Sequence, residues 1–235
     1  MISTRQSRKR LARQKQMLDV AMGIVEEEGI KALTIARLAE GLDAAVGAIY
    51  RYFPSKQALL SGLQRQALER FGEDLRARIE ATTAALCAQG LDPDREAPAA
   101  LCRLSAALCA YLDDAQLAPD RHRLIDELIS TPEVLFDDAD LPTTEGALGP
   151  VLGLVGALID RAVALGALGP GDAAQRTHVA WAALHGLDHF RKRDRLQPPH
   201  LQMAALTAAM IRTLLIGWGA APKEVDAAMG LWGSM

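Results

Sequence analysis

The chain has 235 residues, a formal net charge of −3 and a composition that is half hydrophobic. This length allows one or two domains with a sizeable core. Much of the hydrophobic fraction is alanine, and we expect no run that approaches the ~20 apolar residues of a membrane span. The N-terminus is basic but lacks the apolar segment of a signal peptide. We therefore expect a cytoplasmic protein with no membrane partner.

Charge is distributed unevenly along the chain. Residues 1–70 hold 12 Lys/Arg and 7 Asp/Glu, which gives +5, whereas residues 71–235 hold 14 and 22, which gives −8. A basic segment before an acidic body indicates that the basic segment contacts phosphates. Residues 1–13 are predicted to be a disordered basic arm, which either reaches over DNA or is a solvated tail. The cations of the first 15 residues are Arg5, Arg8, Lys9, Arg10, Arg13 and Lys15.

The stretch Leu33–Lys56, LTIARLAEGLDAAVGAIYRYFPSK, has the pattern of two short helices joined by a tight turn. Thr34 is a good N-cap for the first helix. Low helix propensity around Asp43 marks the joint, and the second helix is predicted to begin near residues 44–45. Pro54 ends that helix, and the next residue, Ser55, can cap another. The apolar residues at helical spacing are Ile35, Leu38, Ala39 and Leu42, then Val46, Ile49, Tyr50 and Phe53.

From about Gln14 to Leu60, the sequence resembles the DNA-binding domain of the TetR family of one-component transcriptional regulators. The markers, with no gaps between them, are Leu38-Ala39-Glu40, Gly47, Ile49-Tyr50, Phe53 and Pro54-Ser55-Lys56. The resemblance implies an all-α fold. Its N-terminal three-helix, helix-turn-helix DNA-binding domain would span residues 14–60. A C-terminal helical domain over residues 61–235 would bind an effector and dimerise.

The family's DNA contacts carry over to several positions. The resemblance implies phosphate contacts for Tyr50 and Lys56, and backbone or groove-edge contacts for Thr34 and Arg37. Lys56 lies in the first turn of a helix, where its ammonium and the exposed N–H groups can both face a phosphate.

The recognition helix departs from the family pattern. The turn has Asp43 where the family usually has Gly, and Ala45, Val46 and Ala48 replace polar residues. Apolar side chains can still contact thymine methyl groups. We expect Arg51 and Tyr52 to make more of the DNA contact than they usually do in the family. The expected DNA-binding set is Thr34, Arg37, Ala45, Val46, Ala48, Tyr50, Arg51, Tyr52 and Lys56.

The rest of the chain reads as helices separated by Pro and Gly clusters. Helices are predicted over residues 55–89, 99–116, 172–192 and 199–217. Three more are predicted: one that begins at residue 119, one that runs from the acidic stretch to residue 168, and one that begins at residue 222. Asp172 followed by Gln175 resembles a capping box. The resemblance implies that the middle helices bind a small molecule, although core packing is the default interpretation of each single candidate residue. The candidates are Leu104, Leu108, Leu128, Leu154, Leu158, Trp181, His185 and Phe190, and the acidic stretch 137–145 is either a lid or a loop.

The resemblance also implies a homodimer, built from a four-helix interface between residues 172–192 and 199–217 of two copies. The second segment has more apolar residues than one monomer stripe requires. The expected interface residues include Ala204, Ala208, Ile211 and Leu215. A twofold dimer would place two recognition helices in successive major grooves of a palindromic operator.

Cysteines and histidines allow a sensor hypothesis. We interpret Cys87, Cys102 and Cys109 as small buried hydrophobes, with a thiol sensor as the alternative. His178, Trp181, His185 and His189 share one helical face. The pair His185 and His189 could bind a transition metal, but we interpret these histidines as hydrogen-bonded interface or pocket residues, with no metal.

No catalytic motif is present, so we expect neither an enzyme nor a cofactor. The first hypothesis is a homodimeric regulator, a repressor released from a palindromic double-stranded DNA operator by a small hydrophobic effector. The alternative is a helical small-molecule-binding protein whose operator binding is weakened or lost. The apolar recognition helix motivates this alternative.

Overall fold

All regular elements in the described part of the chain are helical. The computed structural model describes residues 4–130 and 141–233, with the backbone alone at residues 4, 127–130 and 141–145. The predicted all-α fold is confirmed, as the many Ala, Leu, Arg and Gln residues favour helix. The helices are α1 (Thr4–Glu28), α2 (Ile35–Gly41), α3 (Val46–Tyr50), α4 (Lys56–Ala88), α5 (Ala97–Leu117), α6 (Pro119–Ser130), α7 (Leu141–Ala164), α8 (Ala173–Asp188), α9 (Met203–Gly217) and α10 (Pro222–Gly233).

Most helix boundaries follow the local signals in the sequence. The side chain of Asp172 accepts a hydrogen bond from the backbone N–H of Gln175 at 2.9 Å and caps α8 as predicted. Pro222 is the first residue of α10, where its missing N–H removes no helical bond. α8 ends at Asp188, four residues before the predicted end. The chain turns there because Arg191 binds both Asp188 and the carbonyl oxygen of Leu112.

The contacts divide the chain into two compact units. One comprises Met1–Arg70 and Ala118–Leu148, and the other comprises Phe71–Leu117 and Gly149–Met235. The acidic stretch 137–145, predicted as a lid or a loop, lies outside the residues whose side chains are described.

The first unit packs α2, α3 and the start of α4 against the second half of α1. Leu38, Ile49 and Leu63 are fully buried. Gly62 of α4 lies at a close approach, since a Cβ there would lie 3.0 Å from the side chain of Leu18 and 3.3 Å from that of Phe53. The buried face of α1 is formed by Met17, Leu18, Ala21, Met22, Ile24 and Val25.

The predicted disordered arm requires a correction. α1 begins at Thr4, so residues 4–13 are helical and continuous with the buried part of the same helix. A helix that is already nucleated extends without a further nucleation penalty, because each added residue gains one hydrogen bond, and Arg, Lys, Gln and Ala all favour that extension. Sequence alone showed the charge of this segment, whereas its helical state depends on the packed residues that follow it.

The second unit is centred on α5. This helix is buried on nearly all sides from Ala99 to Leu112 and contacts α8, α9 and α10. Val225 and Ala228 of α10 are fully buried. Small residues at many α5 positions let several helices surround it closely.

One helical stretch contradicts the expectation that no apolar run reaches membrane-spanning length. Gly146–Ala164 has 19 residues and a mean hydropathy of 1.6, so by length and composition it could cross a membrane. Helices in the cores of folded proteins pass the same test. Val151, Val155 and Ile159 are buried within the protein, but only 28% of the span is buried.

Candidate nucleic-acid interface

The first helix of the helix-turn-helix is fixed by its N-cap. The Thr34 hydroxyl accepts a hydrogen bond from the backbone N–H of Arg37 at 3.0 Å, as predicted. This bond satisfies one of the free N–H groups at the start of α2. The buried residues of α2 are Ile35, Leu38 and Ala39. The helix therefore has a single packed side, and its N-terminal end is left at the surface.

The turn after α2 depends on Asp43. The N–H of Ala44 donates to the carbonyl of Ala39 at 2.9 Å, and the N–H of Asp43 donates to Glu40 at 3.0 Å. These two bonds form a Schellman motif, which places one residue in the left-handed region. Asp43 is that residue, with φ +46°. Aspartate tolerates this conformation better than most residues, which explains how the turn forms without the family's usual Gly.

The predicted recognition helix, α3, is short and leaves two of its apolar side chains largely exposed. Ala45 is its N-cap and makes no side-chain capping bond, because alanine has no acceptor. Val46 and Tyr50 are 44% and 49% exposed, whereas Ile49 is fully buried and anchors the helix. Apart from its chain neighbours and the backbone of its own helix, no described residue lies within 4 Å of a Cβ added at Gly47. An exposed helix of this size fits the major groove of B-DNA.

The predicted phosphate contacts cluster where α3 is followed by α4. The Ser55 hydroxyl accepts from the N–H of Ala58 at 3.0 Å, so Ser55 caps α4 as predicted. Lys56 is the first residue of α4 and is exposed. The start of this 33-residue helix thus combines a lysine with the positive end of the helix dipole.

The predicted DNA-binding residues differ in their accessibility. Thr34 is exposed, and so are Ala45, Val46, Tyr50, Arg51 and Lys56. Ala48 and Tyr52 are half-buried. Arg10 of α1 lies 6.0 Å from the centre of the Tyr52 ring, a contact that sequence reasoning missed. The order of the residues in the chain gave no sign that these two would meet.

Arg37 is already engaged. Its Nε donates to Glu28 at 3.0 Å, and its NH2 group donates to the same carboxylate at 2.5 Å. Glu40 lies 3.5 Å from the other terminal nitrogen. Hydrogen bonding to Arg37 lowers the pKa of the Glu28 carboxyl below its ordinary value. A phosphate would therefore compete with Glu28 for this guanidinium.

The predicted ligand-pocket residues do not gather around one described cavity. Phe190 is 52% exposed and lines a cavity of about 240 Å³ with Leu201, Met203 and Leu206. Leu104 and Leu108 are buried in α5, and Leu154, Leu158 and Trp181 are half-buried. His185 Nδ1 is 3.0 Å from the Tyr111 hydroxyl. The side chain of Leu128 lies outside the described residues.

The predicted interface residues of α9 also separate into two groups. Ile211 and Leu215 are fully buried in the protomer, so they pack in its own core and are unavailable to a second copy. Ala204 is exposed and Ala208 is half-buried. A surface for a second copy would use the apolar residues that α8 and α9 leave exposed, which include Val179 (48%) and Ile216 (37%).

The three cysteines differ in their exposure. Cys102 and Cys109 are buried as expected, whereas Cys87 is exposed, which corrects the expectation for that residue. Burial raises the pKa of the Cys102 thiol to about 11 and also raises the pKa of Cys109. Raised pKa values keep these thiols protonated and weaken the thiol-sensor alternative.

His189 Nδ1 lies 3.0 Å from the carbonyl oxygen of His185, as expected for a histidine that is hydrogen-bonded to the backbone.

The N-terminal segment matches a known family of proteins. Residues 17–63 match the family described as bacterial regulatory proteins, tetR family. The nucleoid occlusion factor SlmA of Haemophilus ducreyi is 38% identical over 71 residues, which are 30% of this chain and 33% of that protein. The HTH-type transcriptional repressor KstR of Mycobacterium tuberculosis is 46% identical over 55 residues, 23% of this chain and 25% of that protein. The matched segment thus spans a third or less of these curated relatives.

Solved structures resemble the chain over most of its length. A protein of unknown function from Rhodococcus sp. RHA1 has a TM-score of 0.63 and 22% identity, and the match covers 87% of this chain and 94% of that one. RolR in complex with resorcinol has a TM-score of 0.61 and 17% identity, covering 94% and 95%. AibR in complex with isovaleryl coenzyme A and operator DNA has a TM-score of 0.57 and 14% identity, covering 86% and 98%. At these identities the resemblance establishes the fold.

Proposed function

Because its residues 17–63 belong to the TetR family of bacterial regulatory proteins, we propose that this chain is a DNA-binding transcriptional regulator. It acts as a homodimeric repressor that leaves a palindromic operator when a small hydrophobic molecule binds. One observation carries the proposal: an exposed α3 precedes a capped helix whose first residue is Lys56. The first feature supplies groove contact, and the second supplies a phosphate anchor.

The phosphate contacts set affinity. Lys56 and the free N–H groups at the start of α4 bind one phosphate, and the exposed Tyr50 hydroxyl binds a neighbouring one. Phosphates are the same in every sequence. Loss of either contact therefore weakens binding to all DNA sequences alike, and loss of Lys56 also reduces the salt dependence.

Base recognition rests on few polar groups. Ala45 and Val46 are exposed on α3 and suit thymine methyl groups. Arg51 follows α3 directly and can donate to guanine or to phosphate. We therefore expect an operator with T-rich positions in each half-site. Changes at Val46 or Arg51 should alter sequence preference, which separates their role from that of Lys56.

Dimerisation uses the surface that α8 and α9 leave exposed. Isolated apolar residues are common on protein surfaces. Here, however, exposed apolar groups occur on both helices: Val179 and Ala182 on α8, and Ile216 on α9. These small and branched side chains suit close helix packing. Twofold symmetry is the commonest arrangement for such an interface.

Release by a small molecule is supported by the neighbours that share the fold. RolR was solved with resorcinol, and AibR with isovaleryl coenzyme A and operator DNA. Release requires that the molecule bind more tightly to the form that does not fit the operator. In this chain the cavity beside Phe190 offers an apolar lining for part of such a molecule.

Fluorescence anisotropy tests the proposal. The purified protein is titrated onto its own upstream DNA and onto a shuffled fragment at several salt concentrations. Tight, salt-sensitive binding to the upstream fragment supports an autoregulating repressor. Lys56→Ala should weaken binding to both fragments by the same factor and lower the salt slope by about 0.9. Lys223→Ala is the matched control, because Lys223 is also an exposed first-turn lysine but lies in α10.

The apolar recognition helix favours the alternative function, a small-molecule-binding protein with weakened operator binding. Ala45 lacks the capping oxygen that Ser or Thr would supply, and Val46 replaces a polar group. The same titration separates the two functions. Binding that is equally weak on both fragments, together with stabilisation of the protein by hydrophobic compounds in a thermal-shift screen, would support the alternative.

A further inference from the structure

The first half of α1 contains no buried residue that would stabilise it as a helix. The helix starts at Thr4, but its buried residues begin at Met17, and nothing between Arg5 and Gln16 is buried. The segment contains six Arg or Lys residues and no acid, and its first turn has no acidic residue. Cations near the N-terminus of a helix are repelled by the positive end of the helix dipole. They also repel one another. A polyanion would relieve this repulsion.

One of these cations, Arg10, contacts a residue that follows α3. Arg10 lies seven and eleven residues before Met17 and Ala21, so it shares the face of α1 that packs in the core of the unit. Its guanidinium lies 6.0 Å from the centre of the Tyr52 ring, close after the end of α3. This contact orients the extension on the same side as the predicted phosphate contacts.

The remaining cations divide by helical phase. At about 100° per residue, Arg13 lies about 60° from Arg10, whereas Arg8 and Lys15 lie about 140–160° away on the opposite side. Arg13 donates to the uncharged side chain of Gln16 at 2.6 Å, and no ion pair of Arg13 is seen among the described residues. Arg10 and Arg13 thus form one basic side of the helix.

We propose that Thr4–Gln16 is a rigid helical extension of the DNA interface, in which Arg10 and Arg13 bind phosphates flanking those bound at Tyr50 and Lys56. The segment is 13 residues long and spans about 20 Å, or about six base-pair steps. Its axis is set by the buried half of α1, so the extension is positioned before DNA binds. This inference rests on the proposed function, because it requires that the protein bind duplex DNA.

Two pairs of variants with equal loss of charge test the sidedness. Arg10→Gln/Arg13→Gln is compared with Arg8→Gln/Lys15→Gln on a duplex DNA of fixed length, and the logarithm of affinity is plotted against that of salt concentration. The first pair should lower the slope by about 1.8, since each lost phosphate contact lowers it by about 0.9. The second pair should change the slope by less than about 0.5, because its residues face away from the DNA.

A third variant tests the helix and keeps every charge. Ala12→Pro interrupts α1 above the packed half, where proline at the start of the remaining helix is tolerated. It should lower the salt slope by about 0.9, half the effect of the Arg10/Arg13 pair, because Arg10 is displaced whereas Arg13 stays within the remaining helix. Ala12→Ser is the control and should leave the slope unchanged. An unchanged thermal unfolding midpoint confirms that the packed residues from Met17 onward remain folded.

The outcomes are distinguishable. Equal losses from both charge pairs, with no effect of Ala12→Pro, would show a disordered electrostatic tail and overturn the proposal. No loss from either pair would show a solvated helix and overturn it too. Lys56→Ala serves as the internal reference. If Lys56→Ala weakens binding and the extension variants do not, the proposed role of Thr4–Gln16 is wrong but the proposal of DNA binding is supported. If the unaltered protein does not bind the duplex, the proposed function itself is wrong.

Discussion

Arg37 of α2 and Glu28 at the end of α1 form a paired contact, with Nε and NH2 of the arginine donating to one carboxylate at 3.0 and 2.5 Å. The pair joins two helices of the first unit. It also occupies an arginine that the family resemblance assigns to DNA. Both side chains are about one-third exposed, so water and phosphate can reach them. The contact therefore has two possible consequences, one for stability and one for DNA affinity.

We predict that Glu28→Gln strengthens DNA binding about two- to fivefold, the range typical of one exposed charge interaction. The change releases Arg37 for a phosphate and removes a nearby negative charge. Glu26→Gln is the control, since Glu26 is exposed on the same helix. Anisotropy titrations measure the effect. Equal affinities for the two variants would show that Arg37 serves the fold alone.

The same pair gives a pH dependence. The pKa of Glu28 is lowered from 4.5 by Arg37, so its contribution to stability is complete above pH 4.5 and is lost as the pH falls through the lowered value. Acid unfolding followed by circular dichroism should therefore begin at a higher pH in Arg37→Gln than in the unaltered protein. Coincident acid transitions would contradict a stabilising role for the pair.

The N-cap of α2 should be measurable as stability. Thr34→Ala removes the acceptor for the Arg37 N–H and should destabilise α2 by about 1 kcal/mol. Thr34→Ser keeps the acceptor and should lose little. Amide hydrogen exchange of Ile35–Gly41 is the suitable measurement because it reports on this helix directly. Unchanged exchange in Thr34→Ala would mean that packing alone maintains the start of α2.

The left-handed residue in the turn predicts opposite effects for two substitutions. Asp43→Gly removes the steric penalty of φ +46° and should be neutral or stabilising by up to about 1 kcal/mol. Asp43→Val should destabilise by more than about 1 kcal/mol, since a β-branched residue disfavours this region. Urea unfolding of both variants gives the comparison. A more stable Val variant would contradict the turn geometry.

Dimerisation through α8 predicts that Val179→Arg produces a monomer. The side chain is 48% exposed on the free face of α8, and a buried guanidinium without a partner would disfavour the interface. Leu117→Arg, at a leucine that is 85% exposed at the end of α5, is the matched control and should remain dimeric. Light scattering after gel filtration measures the mass. If both variants stay dimeric, a different face forms the interface.

The thiols should differ in reactivity. The native protein should react with one equivalent of an aromatic disulfide reagent at pH 8, at the exposed Cys87. Cys102 and Cys109 should react after unfolding, because burial raises both pKa values and shields the sulfur atoms. Rapid labelling of Cys102 or Cys109 in the native protein would revive the thiol-sensor alternative.

Local signals in the sequence predicted local structure well. The caps at Thr34, Ser55 and Asp172 each involve a side chain and a backbone N–H three residues later, so a short stretch contains the whole interaction. The position of the turn at Asp43 followed from low helix propensity in the same way. The family motif gave the order of the helices, because its residues define the packing of one small unit.

What the sequence by itself determined is therefore the helical fold, the caps and the basic character of the N-terminal segment. Tertiary structure decided which of these residues meet. Arg37 meets Glu28, Arg10 meets Tyr52, and Ile211 turns into the core, because each contact joins helices that are distant in the chain. The helical state of residues 4–13 was decided in the same way. Helix formation there depends on packing that begins at Met17, and a charge pattern carries no record of that packing.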